Sequence, residues 1–507
     1  MSLFNRLIKS AEATLASSGL AAQLTGRGND EADQARVLRL LLERLGACDY
    51  GRVHRLESAL SAAEFAKRAP VTRQQDLEPA LLRHGHDGGF LLAPEPCVAV
   101  LSTLDSPDEP VRRLPLTATA RQHFSRAWKT SLFAASLGDI PAARLNASAA
   151  LLGAPPGFAK ALTQAPESLD MLVAQCAAGL QPLAPLPFDA TPDLLATEAP
   201  EVLLAGDPLW LASEFPEALI ATDAGSMLAK RPTWAAALGV LVGYRRTTHL
   251  MADQARLLLG HPVRTHEIFA TEAGVIATQA GEAEAGLRLL TNHGLYFEFV
   301  PVSEHATTSL DGLGAKALPL SALQPGALYA LLVSNTAGLC RYDTGELIRC
   351  HSTHPLRIFP EGRAARLLSC AGETLTERAI YTAAAQCCNR HSWAIVHLHV
   401  APCPTAQGKP PAHEWWIELK PGSKETPTGP ALCELIDEQL SRHNEAYAKA
   451  RSSGRLAAPL VRLVIPGVFS QWLRKNSRID ARFCMPRCSQ NRFIANELSG
   501  IAKFCDQ

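Results

Sequence analysis

Ser334-Asn-Thr-Ala-Gly-Leu-Cys-Arg-Tyr-Asp-Thr-Gly-Glu-Leu-Ile-Arg-Cys350 follows an apolar run, Ala327 to Val333, of the length of one buried strand. Within it, Asn335 to Gly338 and Asp343-Thr-Gly345 are turn signals around the short run Leu339 to Tyr342. The pattern predicts two or three adjacent strands meeting at a tight, polar tip. Asp343 and Glu346 flank Gly345, so a carboxylate stands where a loop meets a strand. There it can accept hydrogen bonds from two neighbouring hydroxyls, such as a ribose diol. On these residues alone, an acidic tip in solvent is the simpler reading.

Upstream, His266 to Ala277 runs from an apolar strand into the polar turn Thr271-Glu272-Ala273-Gly274, and Gly294 to Val302 is a β-rich run. Ala218 to Met227 also has the shape of a strand entering an Asp-Ala-Gly-Ser turn. Such strand-to-loop junctions are where α/β proteins place ligand chemistry. From Leu116 a helix is expected, with Thr117 as its cap and Phe124, Trp128, Leu132 and Phe133 on one face. That stripe reads first as core packing. Downstream, Gly362-Arg363 and Gly372-Glu373 punctuate the chain before a helix opening near Thr376, which predicts a hinge. Strand-like runs at 393–400, 414–419 and 459–465 around a helix at 430–451 then describe a small α+β unit.

A length of 507 residues implies more than one core. With 49 basic and 49 acidic residues and no long run of either sign, the chain lacks the electrostatic footprint of a nucleic-acid binder. Thirteen scattered cysteines, including the adjacent Cys387-Cys388, suit reduced thiols in a cytosol better than a disulfide framework. The longest apolar stretch, Trp234 to Tyr244, is far short of the ~20 residues that span a bilayer. A soluble, cytoplasmic protein without membrane partners is the expectation. There is no Walker P-loop, GxSxG or HExxH, and Cys484-x-x-x-Cys488 alone is a weak metal signal.

Taken in order, the segments Cys48 to Arg83, "FATEAGVIA", "YFEFVPV", "AGLCRYDTGELIRC", "LIDEQLSRHNEAYAKAR", "VFSQWLRK" and "FCMPRC" resemble the auxin-responsive-promoter (GH3) family of acyl-acid amido synthetases, in a divergent bacterial-type form. That family lies within the adenylate-forming enzymes. The resemblance implies a large N-terminal domain of mixed β-sheets flanked by helices (1–368) and a small C-terminal α+β lid (369–507). It implies a monomeric ligase that uses ATP and Mg²⁺ to turn a carboxylic acid into an acyl-adenylate, which an amino acid or other amine then attacks. Thr271 and Glu272 would meet the phosphates, with Glu272 reaching the metal. Phe269 and Tyr342 would lie beside the nucleotide, Glu346 would take the ribose, and Arg363 would bridge ribose and lid. Phe124, Trp128 and Phe299 are candidates for the wall of an acyl pocket. Outside that family context, Thr271-Glu272 is a polar turn, Phe269 a core aromatic and Arg363 a surface arginine.

Three departures fall on positions of the family's chemistry. Ser102 to Thr117 stands where a glycine-rich phosphate loop is usual, yet it holds no glycine and carries Asp105, Asp108 and Glu109; Arg112 and Arg113 offset part of that charge. Glu346 replaces the ribose-binding aspartate, and Cys484 stands where a lid lysine is usual. These departures leave three readings open. One is an amide-forming ligase working through acyl-adenylate, and another is a relative that has lost ATP chemistry and binds a small acid or a partner. The third is an enzyme that forms amides from an already activated acyl donor.

Overall fold

The computed structural model describes residues 24–502 apart from 88–91, 104–110, 138–139, 141–148, 153–157, 181–182, 187–200, 207–237, 246–251, 283–284, 309, 404–407, 421–426 and 477–484. The 218–227 turn, the acidic part of the Ser102–Thr117 segment and Cys484 therefore lie outside the described residues.

Helix α1 (Asp30–Gly46) is capped by Asn29, whose side chain accepts from the Ala32 N–H, and it buries Val37, Leu38, Leu41, Leu42 and Leu45. A hairpin of β1 (Cys97–Thr103) and β2 (Arg112–Thr117) leads directly into α2 (Ala118–Leu137). Thr117 Oγ1 accepts from the Ala120 N–H, the capping contact expected from its position.

An eleven-stranded sheet among the described residues forms the body. Its parallel half contains β3 (Ala149–Leu152), β4 (Leu183–Leu186), β5 (Val202–Ala205), β6 (Val240–Gly243) and β7 (Arg264–Thr271), with α3 (Leu169–Ala178) and α4 (Ala252–Leu259) in the connections. The antiparallel half continues through β8 (Gly274–Gln279), β9 (Leu287–Leu289), β10 (Leu295–Pro301), β11 (Leu328–Asn335), β12 (Tyr342–Thr353) and β13 (Leu356–Arg363). The order runs β10-β11-β12-β13-β9-β8-β7-β6-β5-β3-β4. The parallel strands β5 and β6 read as unbroken apolar runs because helices and the C-terminal segment cover both of their faces.

The opening stretch is a hairpin with one tip, not two. Asn335 to Gly338 turns β11 into β12, whereas Asp343 to Gly345 lies inside β12 as an irregularity in its pairing with β11. Gly345 has φ +71°, a backbone conformation that side chains with a Cβ rarely adopt. Asp343 is not a solvent-facing acid either. Its carboxylate accepts from His305 Nε2 at 2.9 Å, Arg73 Nε at 3.1 Å and the Gly345 N–H at 3.1 Å.

A three-stranded sheet follows α5 (Glu377–Arg390): β14 (Ile395–Cys403), β15 (Ala412–Leu419) and, after α6 (Gly429–His443), β16 (Leu460–Val464). The helix expected over 430–451 breaks at Asn444, which caps the next short helix by accepting from the Tyr447 N–H. Helices α7 (Val468–Lys475) and α8 (Phe493–Ile501) complete the C-terminal part. Trp416, Phe469 and Trp472 share a core with Ala150, Leu203 and Leu241 of the parallel sheet. Gln254 of α4 also donates to Asn389 and to the Trp393 carbonyl, and accepts from the Ile395 N–H. The small sheet thus packs through apolar and polar contacts against the large one. Among the described residues no helix is long and apolar enough to cross a membrane, and all eleven cysteines there are free thiols.

Candidate active site

Strand β7 ends, β13 ends and the chain crosses toward α5 at one place, where these segments surround a cleft. Phe269, Ala270 and Thr271 line it from β7, Glu272 from the turn after it, Glu346 from β12, Pro360 to Arg363 from β13, Arg112 from β2, Arg245 from the segment after β6, and Arg366, Glu377, Arg378 and Arg487 from the far side. Five of the expected site residues, Phe269, Thr271, Glu272, Glu346 and Arg363, therefore meet in one cleft.

The turn after β7 is closed by its own threonine, whose Oγ1 accepts from the Ala273 N–H at 3.2 Å. The hydroxyl hydrogen is left for an acceptor in the cleft. Asn335 fixes the turn from behind. Its Nδ2 donates to the Ala273 carbonyl at 2.9 Å, while its Oδ1 accepts from the Ala337 and Leu339 N–H groups. One side chain thus locks the β7–β8 turn to the β11–β12 turn.

Glu272 accepts from Arg245 Nη1 at 3.1 Å through Oε1, and Arg245 Nη2 donates to Asp170 at 2.9 Å. Asp170 in turn accepts from the Tyr244 hydroxyl at 2.7 Å. Glu272 is buried and the Arg245 side chain is only 9% exposed, so Arg245 holds the carboxylate in place rather than leaving it to swing in solvent. Glu272 Oε2 takes no hydrogen bond among the described residues. One carboxylate oxygen left without a hydrogen bond in an arginine-lined cleft is a donor that suits Mg²⁺, which usually binds through one or two carboxylates plus substrate phosphates and water.

Glu346 and Arg363 sit directly opposite each other on β12 and β13, with Arg363 Nη1 donating to Glu346 Oε1 at 3.0 Å. The expected ribose carboxylate and hinge arginine are therefore a cross-strand ion pair. Tyr342 does not line the cleft. It is buried in the core beneath, where burial pushes its phenol up while Arg112 and Arg363 pull it down. Phe124 stacks on Trp128 at 6.5 Å, and Trp128 meets Tyr244 edge-on at 6.0 Å; Phe299 packs against Tyr329. None of these three acyl-wall candidates reaches the cleft. Phe124 does line a smaller cavity on the far side of the 271–274 turn, whereas Trp128 and Phe299 line neither space.

Apart from Arg363 and Arg112, the arginines were the part of the site that motif reading missed. Six guanidinium groups and four carboxylates line the cleft, an excess of positive charge suited to a polyanion. Arg112 Nη1 is aimed by its bond to the Thr344 carbonyl, Arg378 lies 4.0 Å over the Phe359 ring, and Arg487 lies 4.3 Å over Tyr381. Glu377 gathers the far wall, because its Oε1 accepts both from Arg366 Nη1 at 3.3 Å and from the Arg487 N–H at 3.2 Å. Gly362 approaches this carboxylate closely. A Cβ there would meet Glu377 Oε2 at 2.7 Å, and φ is +106°. The signal available in the sequence was Pro486-Arg487 itself, but spacing alone does not say that it returns to the β13 end.

A second group of ligating side chains, Cys370, Glu373 and His413, is held together by hydrogen bonds to Glu373, with His413 Nδ1 buried and without a partner among the described residues. Glu373 accepts from the Cys370 and Ala371 N–H groups and from His413 Nε2 at 2.7 Å. It closes the turn before α5.

Family models match three stretches of the chain: the GH3 family N-terminal domain at residues 27–141, the central domain at 288–358 and the C-terminal domain at 376–493, together more than half of it. An indole-3-acetic acid-amido synthetase, GH3.8 of Oryza sativa subsp. indica, is 27% identical over 224 residues, which is 41% of this chain and 35% of that protein. The match thus spans only about a third of the relative. Among solved structures, GH3.15 acyl acid amido synthetase in complex with 2,4-DB superposes with a TM-score of 0.69 at 14% identity, covering 96% of this chain and 95% of that one. A 2-hydroxyisobutyryl-CoA ligase in the postadenylation state with 2-HIB-AMP gives 0.57 at 13% identity, covering 93% and 91%. These likenesses establish the fold: a large mixed sheet flanked by helices, with a C-terminal domain, as in adenylate-forming enzymes.

Proposed function

The chain belongs to the GH3 family, and from that premise we propose that it joins a carboxylic acid to an amino acid or other amine through an acyl-adenylate made from ATP. We place its domain boundary at 368/369 and its site of action in the cytoplasm. The observation that carries the reading is the convergence of Thr271, Glu272, Glu346 and Arg363 on one cleft with an excess of guanidinium groups.

In this reading the acid's carboxylate attacks the α-phosphorus of ATP and pyrophosphate leaves. The amine then attacks the acyl carbon, loses a proton, and AMP leaves. Negative charge gathers on the phosphates in the first step, and fixed guanidinium groups stabilise it without reorganisation. Arg112, Arg378 and Arg487 supply positive charge that a glycine-rich loop and a lid lysine supply elsewhere in the family. The Thr271 hydroxyl donates to a phosphate oxygen, and Glu346, steadied by Arg363, accepts from a ribose hydroxyl. Glu272 would hold Mg²⁺, with Arg245 keeping its carboxylate aimed. A bound Mg²⁺ would neutralise phosphate charge and orient the leaving group.

Retention of these groups favours catalysis over a binding-only role, since a small acid alone needs no polyanion cleft. ATP–pyrophosphate exchange with a panel of alkyl and aryl acids, with hydroxylamine as acyl trap, tests the proposal. Acid-dependent exchange and hydroxamate formation are expected. No exchange and no ATP-dependent thermal shift would refute it, and hydroxamate formed from an acyl thioester without ATP would instead favour a preactivated donor.

A further inference from the structure

His293, one of the residues lining the small cavity behind the 271–274 turn, carries a buried polar atom that the described residues leave without a partner. Thr271 and Glu272 face the arginine-lined cleft, and the next two residues, Ala273 and Gly274, line this second space. Its other walls are one face of α2, with Ala120, His123, Phe124 and Ala127 at helical spacing, and the segment His293 to Leu295. The cavity is small, about 10 Å³, room for one water-sized group.

His293 is 2% exposed. Its Nε2 is engaged with Thr130 Oγ1 at 3.0 Å, and Thr130 does not line the cavity. Its Nδ1 is buried and has no hydrogen-bond partner among the described residues. Burial and the nearby Arg126 and His123 hold this imidazole down to about 3, so the ring is neutral at working pH and offers a hydrogen bond rather than a charge. The position is held tightly. Gly294 has φ +82°, and a Cβ there would lie 2.1 Å from the His123 ring, so only glycine lets the segment pack against α2. A buried polar atom left unmade costs ~1–3 kcal/mol, which a ligand group of the right kind recovers.

We propose that the acid substrate carries a neutral hydrogen-bonding group, a hydroxyl or carbonyl, that enters this cavity and bonds His293 Nδ1, which makes His293 the residue that sets acid specificity. The inference rests on the acyl-adenylate reading, because the acid's carboxylate must reach the Thr271 side of the same turn. Of the other polar side chains on the wall, Asn335 is committed to the two turns and Thr336 Oγ1 to His123 Nδ1 at 3.3 Å, while Phe124, Ala127, Val275 and Leu295 form its apolar part, so His293 Nδ1 is the group left to meet a single polar tip on a compact acid. A site built to hydrogen-bond a hydroxyl rejects the analogue lacking it far more strongly than an apolar pocket rejects an extra methylene.

The test is acid-dependent ATP–pyrophosphate exchange with matched acids: butyrate against 2-, 3- and 4-hydroxybutyrate, and benzoate against the three hydroxybenzoates. At least one hydroxylated acid should exceed its parent by 10-fold or more in kcat/KM, mainly through KM. His293→Leu should erase that preference while keeping exchange with the parent acid. Equal kcat/KM across every matched pair in the wild-type protein overturns the inference and leaves the adenylation reading standing; so does a preference that survives in a folded His293→Leu. Absence of exchange with all the acids overturns both. The wild-type comparison decides the matter even if the variant fails to fold.

Discussion

Replacing Arg487 by methionine isolates the charge that the C-terminal segment brings to the cleft. The backbone there is pinned independently of the side chain, with the Arg487 N–H donating to Glu377 and its carbonyl accepting from the Val400 N–H at 2.9 Å. Methionine keeps an apolar stem against Tyr381 and gives up, among the contacts of the guanidinium, a cation–π contact worth ~1–2 kcal/mol. The functional loss should be larger. Two unit charges ~4 Å apart at an effective dielectric of ~20 interact by about 4 kcal/mol. Halving this for solvent in the open cleft leaves about 2 kcal/mol, a fall of roughly 30-fold in rate. The assay is kcat/KM for ATP in pyrophosphate exchange, with thermal unfolding in parallel and Arg487→Lys as the control that retains charge. An Arg487→Met protein that melts like the wild type and exchanges within threefold of it would refute the assignment of phosphate charge to this residue.

Four further outcomes follow from the same geometry. Glu272→Gln keeps an acceptor for Arg245 but removes the anion, so exchange should fall on the order of 10²-fold with only a small change in unfolding midpoint; unchanged exchange would remove Glu272 from the metal role. Glu298→Gln breaks a fully buried pair, since Arg341 donates to Glu298 at 2.8–3.2 Å, and should cost about 3–5 kcal/mol in urea unfolding. Gly294→Ala forces a Cβ onto the His123 ring in a backbone conformation alanine resists, and should destabilise by more than ~1 kcal/mol in the same measurement. Asp343 is pushed up by burial, but the hydrogen bond and charge of His305, the Gly345 N–H and Arg73 more than offset this, and its carboxyl is held below the usual range. A depressed folded-state value stabilises above the unfolded value of ~3.9 and loses that contribution as pH falls through the folded one. The gap in unfolding free energy between wild type and Asp343→Asn should therefore narrow below about pH 4.

Local signals told the sequence reading much about the strands and turns. Apolar runs bounded by Gly, Asn and Asp marked β7, β10, β11 and the 335–338 turn, and Thr117 and Thr376 announced their helices, because strand burial and capping depend on near neighbours. The same locality explains the error at Asp343 to Gly345. A Gly-containing acidic triplet has the composition of a turn, and only the partner strand's register shows that it is an irregularity inside β12. Motif order brought Thr271, Glu272, Glu346 and Arg363 together as nucleotide-side candidates, and those four line one cleft.

What the sequence by itself determined is the alternation of buried strands and polar turns, and hence which residues stand at strand ends. Only the tertiary structure decided how charge is distributed there. Arg245 finds Glu272 across 27 positions, the Arg487 backbone N–H finds Glu377 across 110, and the buried Arg341 finds Glu298 across 43. His293 becomes distinctive only because α2 encloses it and leaves one ring nitrogen unmatched. Strand and turn preference is set by a few neighbouring residues, whereas burial of a charge or an unmade hydrogen bond depends on chain segments that meet only when the sheet is closed.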